Sequence, residues 1–208
     1  MADNISRMSL KELSEEVRTL VGDNEDISNT WSNSDIVKSL NFAMQLYCKL
    51  TKCSYVEEAF NLNSDGVTTT FPNDYISIER VAHGTLQTKR FLLQSELKAE
   101  TSKDPDWQQK TAGNPRVWFF AGGKTIKLLP KPQQTLSCVI GYIKEPVQFL
   151  NSTAVQYVDV TIPNSAHKYL KYAAAHWLLS IDGDQKTVQE GAFWLDTFNK
   201  FISGEINA

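Results

Sequence analysis

The amino-acid sequence predicts an α+β fold, with a bundle of N- and C-terminal helices and a central antiparallel β-rich insertion. Apolar residues near both ends of the chain recur at i+3 and i+4, as they do on one face of a helix. The middle of the chain is instead rich in β-branched and aromatic residues between glycine and proline turn signals. We therefore assign residues 1–54 and 160–208 to a helical domain, and residues 55–159 to a β-rich insertion.

Two helices are predicted in the N-terminal segment. The first begins with a capping box, in which the side chains of Ser9 and Glu12 bind free backbone amides reciprocally, and Gly22 favours its end. The second begins near Ser32 or Ser34 and ends before Lys52. Its apolar positions share one helical face and comprise Ile36, Leu40, Ala43, Met44, Tyr47 and Leu50.

The first half of the insertion contains two predicted strands and one ambiguous segment. Residues 67–71 and 75–81 are strand-like and are separated by Pro72. Residues 86–93 fit a strand or a helix equally well. Residues 104–107 are typical of a short helix start, with aspartate at the cap and proline at the first helical position.

A β-hairpin is the clearest prediction in the second half of the insertion. Residues 117–120 and 124–128 flank Gly122 and Gly123, which can adopt positive φ at no steric cost. Residues 136–144 supply a third strand. Its alternating apolar residues Cys138, Ile140 and Tyr142 are expected on one buried face.

The chain returns to helix after Pro163. One helix carries a broad apolar stripe, and residues 182–184 form the turn into a final amphipathic helix. The stripe of the first comprises Leu170, Ala173, Ala174, Trp177, Leu178 and Ile181. That of the second comprises Val188, Ala192, Leu195, Phe198 and Ile202.

The charge of the chain is unevenly distributed. The formal net charge is −3, but residues 1–79 carry 6 basic and 13 acidic side chains, whereas residues 80–150 carry 11 basic and 5 acidic ones. Opposite local charges favour attraction between complementary surfaces of neighbouring subunits, and a basic segment also suits nucleic acid. A solvated basic face explains the same pattern without any partner.

The first 20 residues lack the apolar region of a signal peptide, so we expect the protein to stay in the cytosol of the cell that makes it.

Cysteine usage agrees with a reducing compartment. Cys48 and Cys53 have a spacing that suits neither a zinc knuckle nor a redox CxxC pair, and Cys138 leaves the count odd. We expect all three to be small apolar fillers of the core. Most of the five tryptophans are also expected in the core, with some at a subunit interface.

No catalytic motif is recognisable. Lys124 follows two glycines, but Trp118 stands where a phosphate-binding loop requires glycine, and the context is strand–turn–strand. His167 and His176 are nine residues apart and do not form an HExxH zinc motif. We therefore expect a non-enzymatic protein. The alternatives left open are a nucleic-acid-binding module that uses residues 80–150, and a hydrolase whose site is dispersed along the chain.

Several segments, taken in order, resemble the head–tail adaptor (connector or neck) proteins of tailed bacteriophages. Residues 71–75 are similar to a Leu-Pro-x-Asp-aromatic segment of that family, although Phe71 stands where leucine is typical. The resemblance covers roughly residues 60–180. Its later pieces are Trp107 with residues 113–115, the strand from Val117, residues 126–132, residues 142–146, and residues 162–163 before the helix at residues 167–175.

The resemblance implies a virion structural protein at the head–tail junction. Such adaptors typically form a twelve-fold ring that docks on the portal protein, extends the channel through which DNA passes without sequence-specific binding, and presents a platform to tail or nozzle proteins. It implies no catalytic residue, no metal and no cofactor. The portal-docking segment carried over from the family comprises Ile202, Ser203, Gly204, Glu205, Ile206, Asn207 and Ala208.

A ring built head to tail needs two different complementary faces on each subunit. The acidic and basic segments of the chain could supply such faces, and we single out Lys124, Lys127 and Lys131 as a basic segment for contacts between subunits or along the channel. A tail-tube or tail-completion protein is the alternative within the virion.

Overall fold

The computed structural model describes residues 7–23, 30–63, 67–68, 72–103, 106, 112–120, 125–150, 154–182 and 184–204. Helices and sheets are both present, and the predicted α+β class is confirmed. The chain divides into two compact units, a helical unit of residues 1–54 and 145–208 and a strand unit of residues 55–144. Residues 145–159, which the sequence analysis assigned to the insertion, belong to the helical unit.

The elements follow one another in a simple order. Helices over the described residues are α1 (Leu10–Leu20), α2 (Asn33–Thr51), α3 (Leu97–Lys103), α4 (Asn164–His167), α5 (Leu170–Asp182) and α6 (Gln185–Ile202). Strands are β1 (Tyr55–Leu62), β2 (Val67–Thr68), β3 (Tyr75–Gly84), β4 (Lys89–Phe91), β5 (Leu93–Gln94), β6 (Val117–Phe120), β7 (Ile126–Leu129) and β8 (Leu136–Lys144). No helix in the described part of the chain has the length and apolarity needed to cross a bilayer.

The helix ends follow local sequence chemistry. The capping box of α1 is present, since the Glu12 amide donates to Ser9 Oγ at 3.3 Å and the Ser9 amide donates to Glu12 Oε2 at 2.7 Å. Ser32 caps α2 by accepting the amide of Asp35 at 3.2 Å. Lys52 ends α2 in the left-handed conformation, with φ of 57°. The predicted start and end of both helices are confirmed.

Helix α5 lies at the centre of the helical unit and packs against α1, α2 and α6. Its small buried residues allow close approach, because alanine side chains add little bulk between helix backbones. The buried core of the unit includes Leu13, Val17, Ile36, Leu40, Met44, Leu170, Ala173, Ala174, Leu178 and Phe198.

The described residues of the strand unit form two four-stranded sheets. The first has the order β1-β8-β3-β4, and its pairs are antiparallel. The second has the order β2-β7-β6-β5. Its β6–β7 hairpin has the expected antiparallel register, with Val117 opposite Leu129. Strand β5 pairs parallel to β6, which departs from a purely antiparallel insertion.

Strand β8 differs from the prediction in its neighbours and in its burial. Strand β8 is the predicted third strand, but it pairs with β1 and β3 and lies outside the sheet of the hairpin. Residues 138–143 are buried on both faces, whereas one buried face was expected. The side chains of Tyr55 and Arg80 cover the second face at Gly141. The core of the strand unit comprises Leu62, Ile78, Val81, Leu92, Trp118, Ile126, Leu128, Cys138, Ile140 and Tyr142.

Some predicted segments of the insertion can be compared with the structure, and others lie outside the described residues. The ambiguous residues 86–93 contain strands β4 and β5, and no motif predicted α3. The turn at Gly122 and Gly123 lies outside the described residues, as do Phe71 and most of the helix start at residues 104–107.

Candidate protein-interaction surfaces

The histidines of the helical unit have structural roles in the part of the chain that the structure describes. No three His, Cys, Asp or Glu side chains in that part of the chain come together as a metal site. His176 Nδ1 lies 3.1 Å from the carbonyl oxygen of Gly191, which ties α5 to α6. Because a ring nitrogen engaged in this way holds two helices together, His176 has a clear structural function.

His167 is fully buried and also has two backbone partners. The Met8 amide donates to Nδ1 at 3.2 Å, and Nε2 lies 3.1 Å from the carbonyl oxygen of Ile162. The neutral tautomer with its hydrogen on Nε2 satisfies both contacts. Burial and the nearby Arg7 guanidinium lower the pKa of His167, against an opposing effect of the bond to Ile162.

The most prominent surface feature is a set of exposed apolar side chains between β8 and α4. We call the described residues 147–150 and 154–160 the apolar segment. Its large exposed side chains, with their exposed fractions, are Val147 (75%), Leu150 (67%), Val155 (74%), Tyr157 (51%) and Val160 (75%). Isolated exposed apolar residues are common on protein surfaces, but a concentration of this kind indicates an interaction site.

Asp159 fixes the backbone of the apolar segment. Its side chain is buried and accepts hydrogen bonds from the Val147 amide at 2.5 Å and from both the amide and the hydroxyl of Thr161 at 2.7 Å. Burial acts to raise the pKa of Asp159, but these hydrogen bonds to the charged form outweigh it and lower the pKa. The segment is therefore folded back on itself around a carboxylate.

Gln156 and Asn41 hold the middle of the segment. The Leu150 amide donates to Gln156 Oε1 at 2.6 Å, and Gln156 Nε2 donates to the Leu150 carbonyl at 2.7 Å. The Asn41 side chain of α2 makes the same reciprocal pair of bonds with the backbone of Phe149, at 2.8 and 3.0 Å. The buried ring of Phe149 fixes this contact further.

The segment is also joined to the start of α1. The Leu10 amide donates to the carbonyl of Gln156 at 2.8 Å, and the Val158 amide donates to the carbonyl of Met8 at 3.1 Å. These hydrogen bonds hold the backbone at residues 147–150 and 156–161, so less conformational entropy remains to be lost there on binding.

A second surface lies where α5 and α6 meet. The rings of Tyr172 and Trp194 stack with centroids 5.4 Å apart, and those of Tyr169 and Phe201 with centroids 3.7 Å apart. Lys171 Nζ lies 5.4 Å from the Tyr172 ring centroid and also pairs with Glu16 at 3.0 Å. Trp194 and Trp177 are half-buried, whereas Trp118 is buried in the strand unit, so the tryptophans serve both core and surface.

The strand unit has its own exposed rings. Phe91 is half-exposed in the edge strand β4, and the Arg80 guanidinium lies 4.8 Å from the centroid of its ring and 4.9 Å from that of Tyr55. Leu93 in β5 and Phe120 in β6 are also exposed.

The residues predicted to dock on a partner are only partly described. Ile202 ends α6 and is half-buried, and Ser203 and Gly204 are exposed. Glu205, Ile206, Asn207 and Ala208 lie outside the described residues. These assignments therefore stay predictions.

The predicted basic segment is also only partly described. Lys127 is half-buried on the less buried side of β7, Lys131 is exposed, and Lys124 lies outside the described residues. The role of these lysines in contacts between subunits also stays a prediction.

Sequence reasoning missed the apolar segment because it has neither helical nor strand periodicity. The signal that could have found it is the density of apolar residues in a stretch without regular structure, since an irregular segment rarely contributes so many apolar side chains to a core.

The family model described as SU10 adaptor protein matches residues 8–208, which includes both units of the chain. No curated protein matches the sequence.

Proposed function

The chain belongs to the SU10 adaptor protein family, and from this membership we propose that it forms a ring that docks on the portal of a tailed bacteriophage. Membership makes the chain a phage adaptor protein, which is compatible with a structural role in the virion. In the proposed arrangement the ring lies at the head–tail junction, extends the DNA channel and offers a platform to the tail. Its function is to bind other proteins, and it catalyses no reaction.

The observation that supports assembly most directly is the apolar segment. Five large side chains stand in solvent on a backbone held by Asp159, Gln156 and Asn41. Full burial of a valine or leucine side chain contributes roughly 1.5–3 kcal/mol, so covering this segment favours association strongly. We assign it to a contact that forms when the ring assembles.

Two further contacts complete the proposal. The C-terminal residues 202–208, which begin at the last residue of α6, insert into the portal. The basic residues Lys124, Lys127 and Lys131 face a neighbouring subunit or the channel. The support for these assignments is the resemblance to head–tail adaptors, together with the exposure of Ser203, Gly204 and Lys131.

The proposal is tested by placing charges in the apolar segment. A Val155→Asp/Val160→Asp variant should remain folded, because both side chains are about three-quarters exposed in the isolated chain. Its assembly on purified portal rings should weaken by at least about tenfold, since burying an unpaired carboxylate costs more than the 1.4 kcal/mol that corresponds to a factor of ten. Co-sedimentation with portal over a concentration series measures the change.

Two controls accompany this variant. Ile181→Asp/Val188→Asp introduces the same two charges at exposed apolar positions of α5 and α6, outside the apolar segment, and should weaken assembly less. Val155→Thr/Val160→Thr preserves side-chain shape without charge, and its effect should be smaller than that of the aspartates. Undiminished assembly of the double aspartate variant, with circular dichroism matching wild type, would refute the assignment of the segment.

A further inference from the structure

The end of α2 brings two cysteine sulfurs into contact. Cys48 lies in the last turn of the helix, and Lys52 adopts the left-handed conformation that reverses the chain direction there. Cys53 follows immediately and folds back over that turn. The two Sγ atoms lie 3.5 Å apart, although the sequence spacing alone matches no known redox motif.

We propose that Cys48 and Cys53 are a reversible dithiol–disulfide pair, a modification site for low-molecular-weight disulfides such as oxidised glutathione. Bond formation requires the sulfurs to move from 3.5 Å to about 2 Å. That displacement is within the reach of side-chain rotation at Cys53, which lies in a turn outside the helix. The helix end therefore brings together two cysteines that the sequence predicted only as apolar fillers of the core.

The two thiols differ in access. Cys48 is fully buried, as is Cys138, whereas Cys53 is half-buried and so has surface in contact with solvent. Among the three cysteines, Cys53 is therefore the one that a dissolved disulfide can reach first.

The environment also favours a thiolate at Cys53. Sharing a hydrogen bond with Cys48 lowers the pKa of the Cys53 thiol to about 6, against opposing effects of burial and of Asp159. The same hydrogen bond and burial raise the pKa of Cys48. The charged and titratable groups that influence the pair are Asp159 and Tyr47, with Thr51 and Ser54 as hydroxyl neighbours. Because the thiolate is the nucleophile in exchange, Cys53 is the attacking residue.

The reaction balances in two steps. The Cys53 thiolate attacks one sulfur of oxidised glutathione, forms a mixed disulfide and releases one glutathione thiolate. Cys48 then loses its proton, attacks Cys53 Sγ and releases the second glutathione. One protein disulfide and two glutathione thiols result, and the two electrons given up by the cysteines reduce glutathione disulfide.

The consequence for the virion rests on the proposed function. A phage component moves from a reducing cytosol to an oxidising exterior when the host lyses, and a disulfide becomes favourable at that point. The bond would then fasten the end of α2 after assembly. The test uses the isolated chain, so its outcome does not depend on whether the protein joins a portal.

The experiment counts thiols by mass. Full-length reduced protein is incubated with oxidised glutathione, quenched in acid, unfolded and alkylated with N-ethylmaleimide. Untreated protein should carry three maleimide groups, one for each cysteine. Treated protein should carry one, at Cys138, and dithiothreitol should restore three. A tryptic map should join the peptide containing Cys48 to the peptide that begins with Cys53, since trypsin cleaves after Lys49 and Lys52.

A Cys53→Ala variant is the matched control and should keep both remaining thiols, because Cys48 and Cys138 are buried. The wild-type map decides the matter even if that variant folds poorly. Three thiols persisting after treatment, glutathione remaining attached to Cys53, or a disulfide that joins two chains would each overturn the proposal.

Discussion

At the scale of single residues, buried polar groups hold irregular backbone in place within the helical unit. His167 binds the backbone of Met8 and Ile162, and Asp159 binds that of Val147 and Thr161. A buried donor or acceptor left without its partner costs roughly 1–3 kcal/mol, so these side chains are needed for the local fold. They shape the surface that carries the apolar segment.

His167 should make stability depend on pH. Its pKa is lower in the folded protein than the 6.5 of a free histidine, so the folded state binds fewer protons in that range. The stabilisation is complete above about pH 6.5 and is lost as the pH falls through the lowered pKa, by up to about 1.4 kcal/mol per pH unit. Urea unfolding followed by circular dichroism between about pH 7 and pH 5.5 measures this slope.

His167→Gln should flatten the slope, because glutamine has an amide donor and acceptor but does not titrate. His83→Gln, at a half-buried position in β3, is the matched histidine-to-glutamine control. An identical pH dependence in wild type and His167→Gln would show that another group is responsible. The sequence showed only that His167 lacks a zinc motif. Its structural role could not be predicted, because its partners are the amide of Met8, more than 150 residues away, and the carbonyl of Ile162, outside its helix.

At the scale of elements, Gly191 sets the distance between α5 and α6. A Cβ atom at Gly191 would lie 3.2 Å from Leu179 Cβ and 3.3 Å from the carbonyl oxygen of His176. Gly191→Val should therefore force the helices apart and reduce the free energy of unfolding by about 1–3 kcal/mol, the usual cost of overpacking. Thermal unfolding monitored by circular dichroism tests the change.

Ala192→Val is the matched control, because it adds a β-branched side chain to the exposed side of the same helix. It should lower stability by only a few tenths of a kcal/mol, as expected from helix propensity. Equal losses of unfolding free energy in the two variants would mean that the close approach of the helices at Gly191 does not contribute to stability.

The basic side chains around β7 carry a second prediction at this scale. A Lys124→Glu/Lys127→Glu/Lys131→Glu variant should weaken assembly with portal, and the loss should be larger at low salt because salt screens exposed charges. Sedimentation at two salt concentrations measures it. Reversal of Lys11, Lys49 and Lys186, which are exposed in the helical unit, gives the same change in net charge and should have less effect. Equal effects would contradict a local role for the basic segment.

Elements with local signals were predictable from the sequence, and elements defined by distant partners were not. Ser9, Ser32 and Lys52 mark helix ends through chemistry within a few residues, so α1 and α2 were placed correctly. The pattern of β8 could not reveal that β1 and β3 flank it, since alternation of side chains does not identify neighbouring strands. The apolar segment was missed because contacts with Asn41 and Met8 define it.

At the scale of the whole molecule, one family model matches both compact units of the chain. The match runs from residue 8 to residue 208, so both the helical unit and the strand unit are parts of an adaptor protein. Resemblance in ordered short segments anticipated this membership, whereas composition and charge alone left structural and nucleic-acid-binding roles open. Assembly depends on several chains, and the sequence of one chain determines only the surfaces through which they contact each other.

Electron microscopy of the purified chain mixed with its portal protein tests the central claim most directly. We predict a twelve-fold ring of this chain seated on the portal, with residues 202–208 against the portal and residues 147–160 covered by a neighbouring chain. A chain that stays monomeric beside bare portals, or that binds only to tail components, would contradict the account.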